Sequence, residues 1–300
     1  MKTRSLICAV AVALTGCASD GAQQSRDFDL QGHRGARGVL PENSIPSFLL
    51  AVDQGVDTIE MDVVVSSDSN VVVSHEPWMS HEICSHPDGT AVSEEEAEGL
   101  NLFAMTYSEI AGFDCGARGN PRFPSQEAQA VVKPLLSESL AAIESHAGRP
   151  MRYNIEIKSR EEGDGIYHPE VAEFAALVYD VVDEAGLVSR TTFQSFDPRA
   201  LEALYERDPG ATLALLVSNQ DGLAANLDRL SFQPAIYSPN YNLVHPGLVD
   251  SVHALGMTVV PWTINTSEEM EPLLAMGVDG IITDYPALGA ALKPAPTQTP

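Results

Sequence analysis

Positive charge is scarce in this chain. Its 300 residues carry 17 Lys and Arg against 42 Asp and Glu, a formal net charge of −25 at pH 7. Because a surface of this kind repels polyanions, we expect neither nucleic acid nor an anionic membrane surface as a partner. The same charge opposes an anionic substrate, so a site for one must be locally positive.

Long apolar runs are missing beyond the N-terminal region. There, basic residues precede an apolar run at residues 6–14, which is too short for a mature transmembrane helix and is typical of a signal peptide. The run ends in a Leu-Thr-Gly-Cys segment that resembles a bacterial lipobox, so we expect Cys17 to be lipidated; ordinary cleavage with secretion is the alternative. This predicts a lipoprotein signal peptide at residues 1–17 and a flexible tether at 18–27. We expect export to the cell envelope or periplasm, with the lipid on Cys17 as the only membrane attachment.

Cysteine is also rare, with four in the chain. Cys8 lies in the predicted signal peptide and Cys17 is the predicted lipid acceptor, which leaves Cys84 and Cys115. Both lie in one loop-rich region of an exported chain, where the compartment is oxidising. We therefore expect a disulfide between them; two free thiols packed as small hydrophobes are the alternative.

The remaining residues, 28–292, are enough for one large core, and 44% of the chain is hydrophobic. β-Rich runs alternate with helical patterns, which predicts parallel strands joined by helical crossovers. Eight such units fit an α/β TIM (β/α)8 barrel, with an inserted subdomain at residues 76–134 after the second strand. A doubly wound sheet is the alternative, but its Gly-rich phosphate-binding turn is missing. The Pro-rich tail at 293–300 is predicted to be disordered.

The predicted elements follow from periodicity and from turn residues. The strands cover residues 28–31, 58–65 with 71–73 as an extended continuation, 152–157, 191–194, 212–217, 235–237, 257–261 and 280–282. The helices cover residues 136–147, 170–185, 199–207, 221–230, 246–255 and 268–276, after a first helix that Asn43 or Ser44 caps and that ends at Gly55.

Carboxylates recur on strand faces. Successive side chains of a strand point to opposite faces, so Glu60 and Asp62 share one face of the strand at 58–65. Two neighbouring carboxylates repel each other unless a cation lies between them or one is protonated. Farther along, Glu156 shares a strand face with Lys158, a third carboxylate beside a cation. Hard oxygen ligands of this kind suit Mg²⁺ or Ca²⁺, although any one of these pairs alone is more often a solvated face.

Taken in order, the polar motifs resemble the glycerophosphodiester phosphodiesterase family, over about residues 28–292. The segments that carry the resemblance are His33-Arg34-Gly35, Pro41-Glu42-Asn43-Ser44, Glu60-Met61-Asp62, His75-Glu76-Pro77, Asn154-Ile155-Glu156-Ile157-Lys158, Gln194-Ser195-Phe196-Asp197, Trp262-Thr263-Ile264-Asn265 and residues 277–286. The residues of these segments that fall at or just past a predicted strand end, where barrel enzymes collect their active residues, are His33, Glu60, Asp62, His75, Glu156, Lys158, Ser195, Trp262 and Asp284.

The resemblance implies hydrolysis of glycerophosphodiesters to glycerol 3-phosphate and an alcohol, with a divalent metal ion, Ca²⁺ or Mg²⁺, as cofactor. It implies that His33 and His75 form the acid/base pair, in keeping with an imidazole that titrates near neutral pH. The other implied roles are metal binding by Glu60, Asp62 and Glu156, and phosphate binding by Arg34 and Lys158. We expect Trp262, at a strand end, to form an apolar wall for the glycerol carbons.

Several residues have open interpretations. Glu42 is either a partner of the metal site or of Arg34, or a carboxylate at the start of a helix. Within the insertion, Trp78, Phe103, Tyr107 and Arg122 are candidates for substrate contact. His146, His168 and His253 are interpreted as surface residues, and His245 as a possible helix cap.

Two other classes of function stay open at this level. One is a phospholipase-like phosphodiesterase that acts on lipid head groups from the same barrel. The other is a catalytically inactive, surface-binding lipoprotein. The complete set of candidate catalytic residues disfavours the inactive protein, and the Glu-x-Asp and Asn-x-Glu-x-Lys patterns favour the glycerophosphodiester branch.

Overall fold

A computed structural model describes residues 27–294. The predicted signal peptide, the lipidation of Cys17, nearly all of the tether and most of the tail lie outside the described residues. None of the helices in this part of the chain has the length and apolarity needed to cross a bilayer.

Strands and helices alternate along the described chain. The strands are β1 Asp29–Gly32, β2 Thr58–Val65, β3 Val71–Val73, β4 Arg152–Ile157, β5 Thr191–Ser195, β6 Thr212–Val217, β7 Ile236–Pro239, β8 Thr258–Val259 and β9 Gly280–Thr283. The α-helices are α1 Ile45–Asp53, α2 Glu94–Ala97, α3 Tyr107–Ile110, α4 Leu136–His146, α5 Val171–Glu184, α6 Pro198–Arg207, α7 Leu223–Leu227, α8 Pro246–Ala254, α9 Ser267–Met276 and α10 Pro286–Ala291.

Eight of the strands form a parallel barrel in the order β8-β7-β6-β5-β4-β2-β1-β9. Backbone hydrogen bonds close the gap between β8 and β9. The Asp279 N–H donates to the Val259 carbonyl at 2.9 Å, and the Ile282 N–H donates to the Pro261 carbonyl at 3.0 Å. This topology, with helices between the strands, confirms the predicted TIM (β/α)8 barrel.

Strand β3, which lies outside the eight-stranded barrel, differs from the prediction. It pairs antiparallel with β2, with Val63 opposite Val73, so it is the second arm of a hairpin and not a continuation of β2. The polar segment 66–70 reverses the chain, with Ser69 at a φ of 60° and the Ser66 N–H bonded to the Asn70 carbonyl at 3.0 Å. The hairpin turns the chain back so that His75, just after β3, lies beside the end of the barrel.

Burial on both faces explains the composition of the strands. All eight residues of β2 are buried, because the helices cover one face and the barrel interior lies on the other. The helix-facing residues Ile59, Met61 and Val63 are fully buried in the main apolar core. The interior face carries Glu60 and Asp62, so the polar side chains of β2 lie inside the barrel.

The segment between β3 and α4 packs around an apolar cluster of its own, centred on residues such as Met79, Leu102 and Ile110. It contains the short helices α2 and α3, and the latter begins with a capping box formed by Thr106 and Glu109. The sulfur atoms of Cys84 and Cys115 are bonded across 31 residues inside this cluster.

Candidate active site

Three carboxylates meet at one end of the barrel interior. Asp62 and Glu156 are register partners on β2 and β4, and Glu60 lies two residues earlier on β2. One oxygen of each carboxylate lies within 4.8 Å of the other two, and all three side chains are buried. Burial, together with the negative charge of its two neighbours, raises the pKa of Glu60 well above its ordinary value. Burial also raises the pKa of Glu156. The cluster therefore carries repulsion that a bound cation would relieve.

Asp62 is the member of the cluster that is held ionised. Burial opposes its charge, but Arg34 and the other nearby cations outweigh burial and lower the pKa of Asp62. Its Oδ2 accepts a hydrogen bond of 2.8 Å from the Asn43 amide and lies 3.1 Å from Nε of Arg34. Its Oδ1 is buried and has no hydrogen-bond partner among residues 27–294. An ionised, buried carboxylate oxygen without a donor has the chemistry of a vacant ligand atom.

The turn after β1 positions the neighbouring cation. Arg34 has a φ of 50°, and its backbone N–H donates to Oε2 of Glu60 at 2.8 Å. Its guanidinium donates to Glu42 at 2.7 Å, and Arg37 holds the other Glu42 oxygen. Of the two interpretations of Glu42, the partner of Arg34 is therefore the one observed. Gly35 has a φ of 87°, and a Cβ there would lie 2.6 Å from Oγ of Ser47, so the turn requires glycine.

His33 lies at the end of β1 and is anchored by Asp284, which follows β9. The two strands are parallel neighbours, with Gly32 opposite Thr283. Nδ1 of His33 lies 2.6 Å from Oδ1 of Asp284, and the Asn265 amide donates to Oδ2 of Asp284 at 2.7 Å. Burial lowers the pKa of His33 even though Asp284 opposes this shift. Burial disfavours the charge of Asp284, but the nearby His33 outweighs it and holds the pKa of Asp284 at about 2.

His75 has a carboxylate partner of its own in the next residue. Nδ1 of His75 lies 2.7 Å from Oε1 of Glu76, and both side chains are partly exposed. The preceding residue, Ser74, is buried; its backbone N–H donates to the Asp62 carbonyl at 3.0 Å. Nζ of the buried Lys133 donates to Oγ of Ser74 at 2.8 Å. The chain on the N-terminal side of His75 is thus fixed to β2 and to the segment that precedes α4.

Lys158 lies at the end of β4 and is paired with the carboxylate cluster. Its Nζ donates to Oε1 of Glu156 at 2.8 Å and lies 3.8 Å from Oδ1 of Asp62. Gln194 of β5 completes the cluster, because its amide donates to Oε1 of Glu60 at 3.0 Å. The Asn154 amide in turn donates to Oε1 of Gln194 at 3.0 Å.

Most of the principal side chains of the site line one cavity of about 280 Å³. Its walls are formed by His33, Arg34, Arg37, Glu60, His75, Arg122, Glu156, Lys158, Gln194, Phe196, Leu216, Trp262, Thr263 and Ile282. Trp262 donates from Nε1 to the Ser238 carbonyl at 2.9 Å and meets the Phe196 ring edge-on at 5.3 Å. The cavity therefore combines a cationic and acidic end with an aromatic and aliphatic wall.

The sequence motifs predicted the principal site residues but not the residues that hold those side chains in position. No site role was predicted for Asn43, Arg37, Gln194 or Asp284, although all except Arg37 lie in segments of the family resemblance. Of the four candidates in the insertion, Arg122 lines the cavity and Trp78 lines an adjoining cleft. Phe103 packs against the barrel core, and Tyr107 bonds through its hydroxyl to Glu138, away from the cavity.

A parallel barrel with buried acidic groups, carboxylate-paired histidines and cationic side chains at the C-terminal ends of its strands is the arrangement of a phosphodiesterase-class enzyme. The model of the glycerophosphoryl diester phosphodiesterase family matches residues 33–288. The chain belongs to this family, as the resemblance of its motifs predicted.

The chain aligns with curated glycerophosphodiester phosphodiesterases over nearly their whole length. The chain is 29% identical over 256 residues to a glycerophosphodiester phosphodiesterase from Caldanaerobacter subterraneus, covering 85% of this chain and 93% of the relative. It is 26% identical over 290 residues to a glycerophosphodiester phosphodiesterase from Bacillus subtilis, covering 94% and 92%.

Solved structures share the fold. A candidate glycerophosphoryl diester phosphodiesterase from Silicibacter pomeroyi superposes with a TM-score of 0.78 at 29% identity, covering 88% of this chain and 92% of that one. A phosphodiesterase from Oleispira antarctica, solved with its product sn-glycerol 3-phosphate, has a TM-score of 0.68 at 23% identity, covering 88% and 96%. At this lower identity the likeness concerns the fold alone.

Proposed function

We propose that this enzyme hydrolyses glycerophosphodiesters to glycerol 3-phosphate and an alcohol, using a divalent metal ion and the imidazoles of His33 and His75. The observation that carries the proposal is the juxtaposition of three buried carboxylates, one with an oxygen that lacks a donor, and two carboxylate-anchored histidines around one cavity. The Oleispira antarctica phosphodiesterase of the same fold binds sn-glycerol 3-phosphate as product, which supports this choice of product.

The residues present fit a hard divalent cation. Glu60, Asp62 and Glu156 would hold it, since all three offer carboxylate oxygens and Oδ1 of Asp62 has no hydrogen-bond donor in the described chain. When bound, Ca²⁺ or Mg²⁺ would supply neutralisation of the phosphoryl oxygens and orientation of the reacting groups. The raised pKa values of Glu60 and Glu156 fit the same conclusion, because a bound cation would offset the burial and the repulsion that disfavour their charge.

The phosphate is bound by the cations of the cavity. Arg34 offers a planar set of N–H donors and is held in place by Glu42, so little side-chain freedom is lost when a phosphate binds. Lys158 contributes a point charge and is held by Glu156. These groups provide the local positive charge that a chain with a net charge of −25 needs in order to bind an anion.

The two imidazoles act as acid and base. Asp284 and Glu76 are acceptors, so each histidine donates from Nδ1 and leaves Nε2 for the reaction. One imidazole takes the proton of the attacking hydroxyl group, and the other gives a proton to the alcohol oxygen as its bond to phosphorus breaks. Burial lowers the pKa of His33 and thereby favours its neutral form, which is the form that accepts a proton.

The test is release of glycerol 3-phosphate from a panel of glycerophosphodiesters, with bis(4-nitrophenyl) phosphate and intact phospholipids as comparison substrates. We expect His33→Ala and His75→Ala each to lower kcat by about a hundredfold or more, with smaller changes in KM. The double variant should be no worse than either single variant if the two act as one unit. Ordinary turnover in either single variant would contradict the assignment. Cleavage of intact phospholipids alone would favour the phospholipase-like alternative, and turnover of nothing would favour the inactive lipoprotein.

We also propose export of the protein to the cell envelope, with a lipid on Cys17 as its anchor. The lipobox-like segment supports this proposal, as does the bonded pair Cys84 and Cys115, which suits an oxidising compartment. Metabolic labelling with a fatty-acid probe should mark the full chain and should fail in Cys17→Ser. Equal labelling of both chains, or of neither, would contradict the anchor.

A further inference from the structure

A second cleft opens beside the catalytic cavity. It has a volume of about 420 Å³ and shares His75, Glu156, Lys158 and Phe196 with the cavity. A phosphodiester has two substituents, and Trp262, the expected wall for the glycerol carbons, lines the cavity but not the adjoining cleft. The adjoining cleft is therefore placed to receive the alcohol on the other side of the phosphate.

Two aromatic side chains that line this cleft are held by other aromatic residues. Trp78 is packed edge-to-face against Tyr167, with ring centroids 5.4 Å apart. Phe196 is packed perpendicular to Trp262, with centroids 5.3 Å apart. Fixed aromatic faces attract cations, and quaternary ammonium groups are recognised in this way.

The cleft also contains a carboxylate. Burial opposes the charge of Glu76, but its hydrogen bond to His75 and the nearby Lys133 lower the pKa of Glu76 well below its ordinary value. Of the two cations in the cleft wall, Lys158 is paired with Glu156, and Arg160 lies exposed at the rim. The inner part of the cleft thus presents aromatic surface and a negative charge.

The charge of the whole protein favours the same kind of alcohol. A diester with a neutral or acidic alcohol is an anion, which a chain with a net charge of −25 repels. A cationic alcohol makes the diester zwitterionic and removes that repulsion.

We infer that this cleft, lined by Glu76, Trp78 and Phe196, binds the alcohol half of the substrate and selects an alcohol of the ammonium class. The inference rests on the proposed function, and it names a preference among the diesters that the site would cleave. Trp78 is assigned as a residue that determines this specificity and takes no part in the bond-breaking step.

The test compares two diesters of the same shape that differ in one charge: glycerophosphocholine and the glycerophosphate ester of 3,3-dimethylbutanol. We expect kcat/KM to be about tenfold or more higher for glycerophosphocholine, on the scale of one desolvated cation–aromatic contact. In Trp78→Leu the ratio should fall towards one, while kcat/KM for the neutral ester changes by less than about twofold. Because both esters are measured on the same variant, a general loss of active protein cancels in the ratio.

Two control variants complete the design. Tyr107→Leu removes an aromatic residue of the same segment that does not line the cleft, and it should keep the wild-type ratio. Arg160→Gln should leave the ratio unchanged or raise it. A wild-type ratio near one would overturn the inference, as would a preference for an acidic alcohol that Arg160→Gln abolishes. Failure to hydrolyse either ester would contradict the proposed function itself, and the inference with it.

Discussion

Nδ1 of His33 and Oδ1 of Asp284 lie 2.6 Å apart, although 251 residues separate them in the chain. The first and last strands of the barrel are parallel neighbours, and each residue follows its strand directly. Asn265 holds the other oxygen of Asp284, so the imidazole is oriented through two connected side chains. Closure of the barrel is thus what brings His33 and Asp284 together.

Replacing Asp284 tests this relationship. We expect Asp284→Asn to lower kcat by about 10- to 100-fold, because the amide no longer fixes the tautomer and orientation of His33. Asp279→Asn is the matched control: Asp279 also pairs with a histidine, His253, at 2.8 Å, but outside the cavity. Steady-state kinetics on both variants gives the comparison. Equal losses in the two, or none in Asp284→Asn, would show that the anchor does not act on the reaction.

Replacing Asn43 tests how Asp62 is held. The Asn43 amide donates to Asp62, and its backbone has a φ of 52°, which glycine tolerates and alanine does not. We expect Asn43→Gly to weaken metal binding by about 10- to 100-fold with little change in stability. Asn43→Ala should weaken metal binding similarly and also lose stability, by about 1 kcal/mol or more. Titration with Ca²⁺ or Mg²⁺ and thermal melts separate the two effects; unchanged metal affinity in both variants would contradict the role of Asn43.

The acidic cluster predicts a pH dependence of stability in the metal-free protein. The pKa of Glu60 is raised in the folded state above its ordinary value of 4.5, so folding favours the protonated form. Its contribution to stability is therefore full below about pH 4.5 and is lost as the pH rises towards the folded-state pKa. With EDTA present, we expect the Tm of Glu60→Gln minus the Tm of wild type to increase as the pH rises above about 4.5.

Adding a divalent metal ion should reverse this difference in Tm between the wild type and Glu60→Gln. Ca²⁺ or Mg²⁺ should raise Tm of the wild type more than that of Glu60→Gln, since only the wild type keeps all three of the proposed ligand carboxylates. Glu94→Gln, which changes an exposed carboxylate of α2, serves as the control and should follow the wild type at every pH. A wild type and a Glu60→Gln variant with parallel Tm curves would mean that the three carboxylates do not repel one another in solution.

The link between Cys84 and Cys115 should matter more for substrate binding than for the barrel. It lies in the apolar cluster of the segment between β3 and α4, apart from the main core. Its loss should destabilise that segment by about 3 kcal/mol in the chain-entropy model. We expect a reductant, or Cys84→Ser with Cys115→Ser, to raise KM while the main melting transition moves less. Two free thiols in the denatured, unreduced protein would show that the link does not form.

Much of the fold could be predicted from the sequence, because the strands and helices follow from local patterns of apolar and polar residues. Alternating β-rich and helical segments are enough to predict the barrel, and the period of two places Glu60 and Asp62 on one face. The hairpin of β3 was misread as a continuation, because a run of valines fits either arrangement and the reversal depends on the turn at Ser69.

Contacts between distant segments were harder to predict. His168 was interpreted as a surface residue, but it is 2% exposed and its Nε2 accepts a hydrogen bond from the Arg160 N–H. Nothing in the residues near His168 indicates that its loop folds back over the ring. Of the two predicted caps of α1, Ser44 is the one observed, and the Asn43 side chain instead donates to Asp62, a contact that was not predicted. The interior partners of the site depend on strand register, which the sequence does not state.

The most direct test of the account is the metal dependence of glycerol 3-phosphate release. Protein stripped with EDTA should have no measurable turnover of glycerophosphocholine or glycerophosphoethanolamine, and Ca²⁺ or Mg²⁺ should restore it. The same treatment should leave Asp62→Asn and Glu156→Gln inactive while they remain folded. Full turnover by stripped wild-type protein with no detectable bound metal would contradict the account.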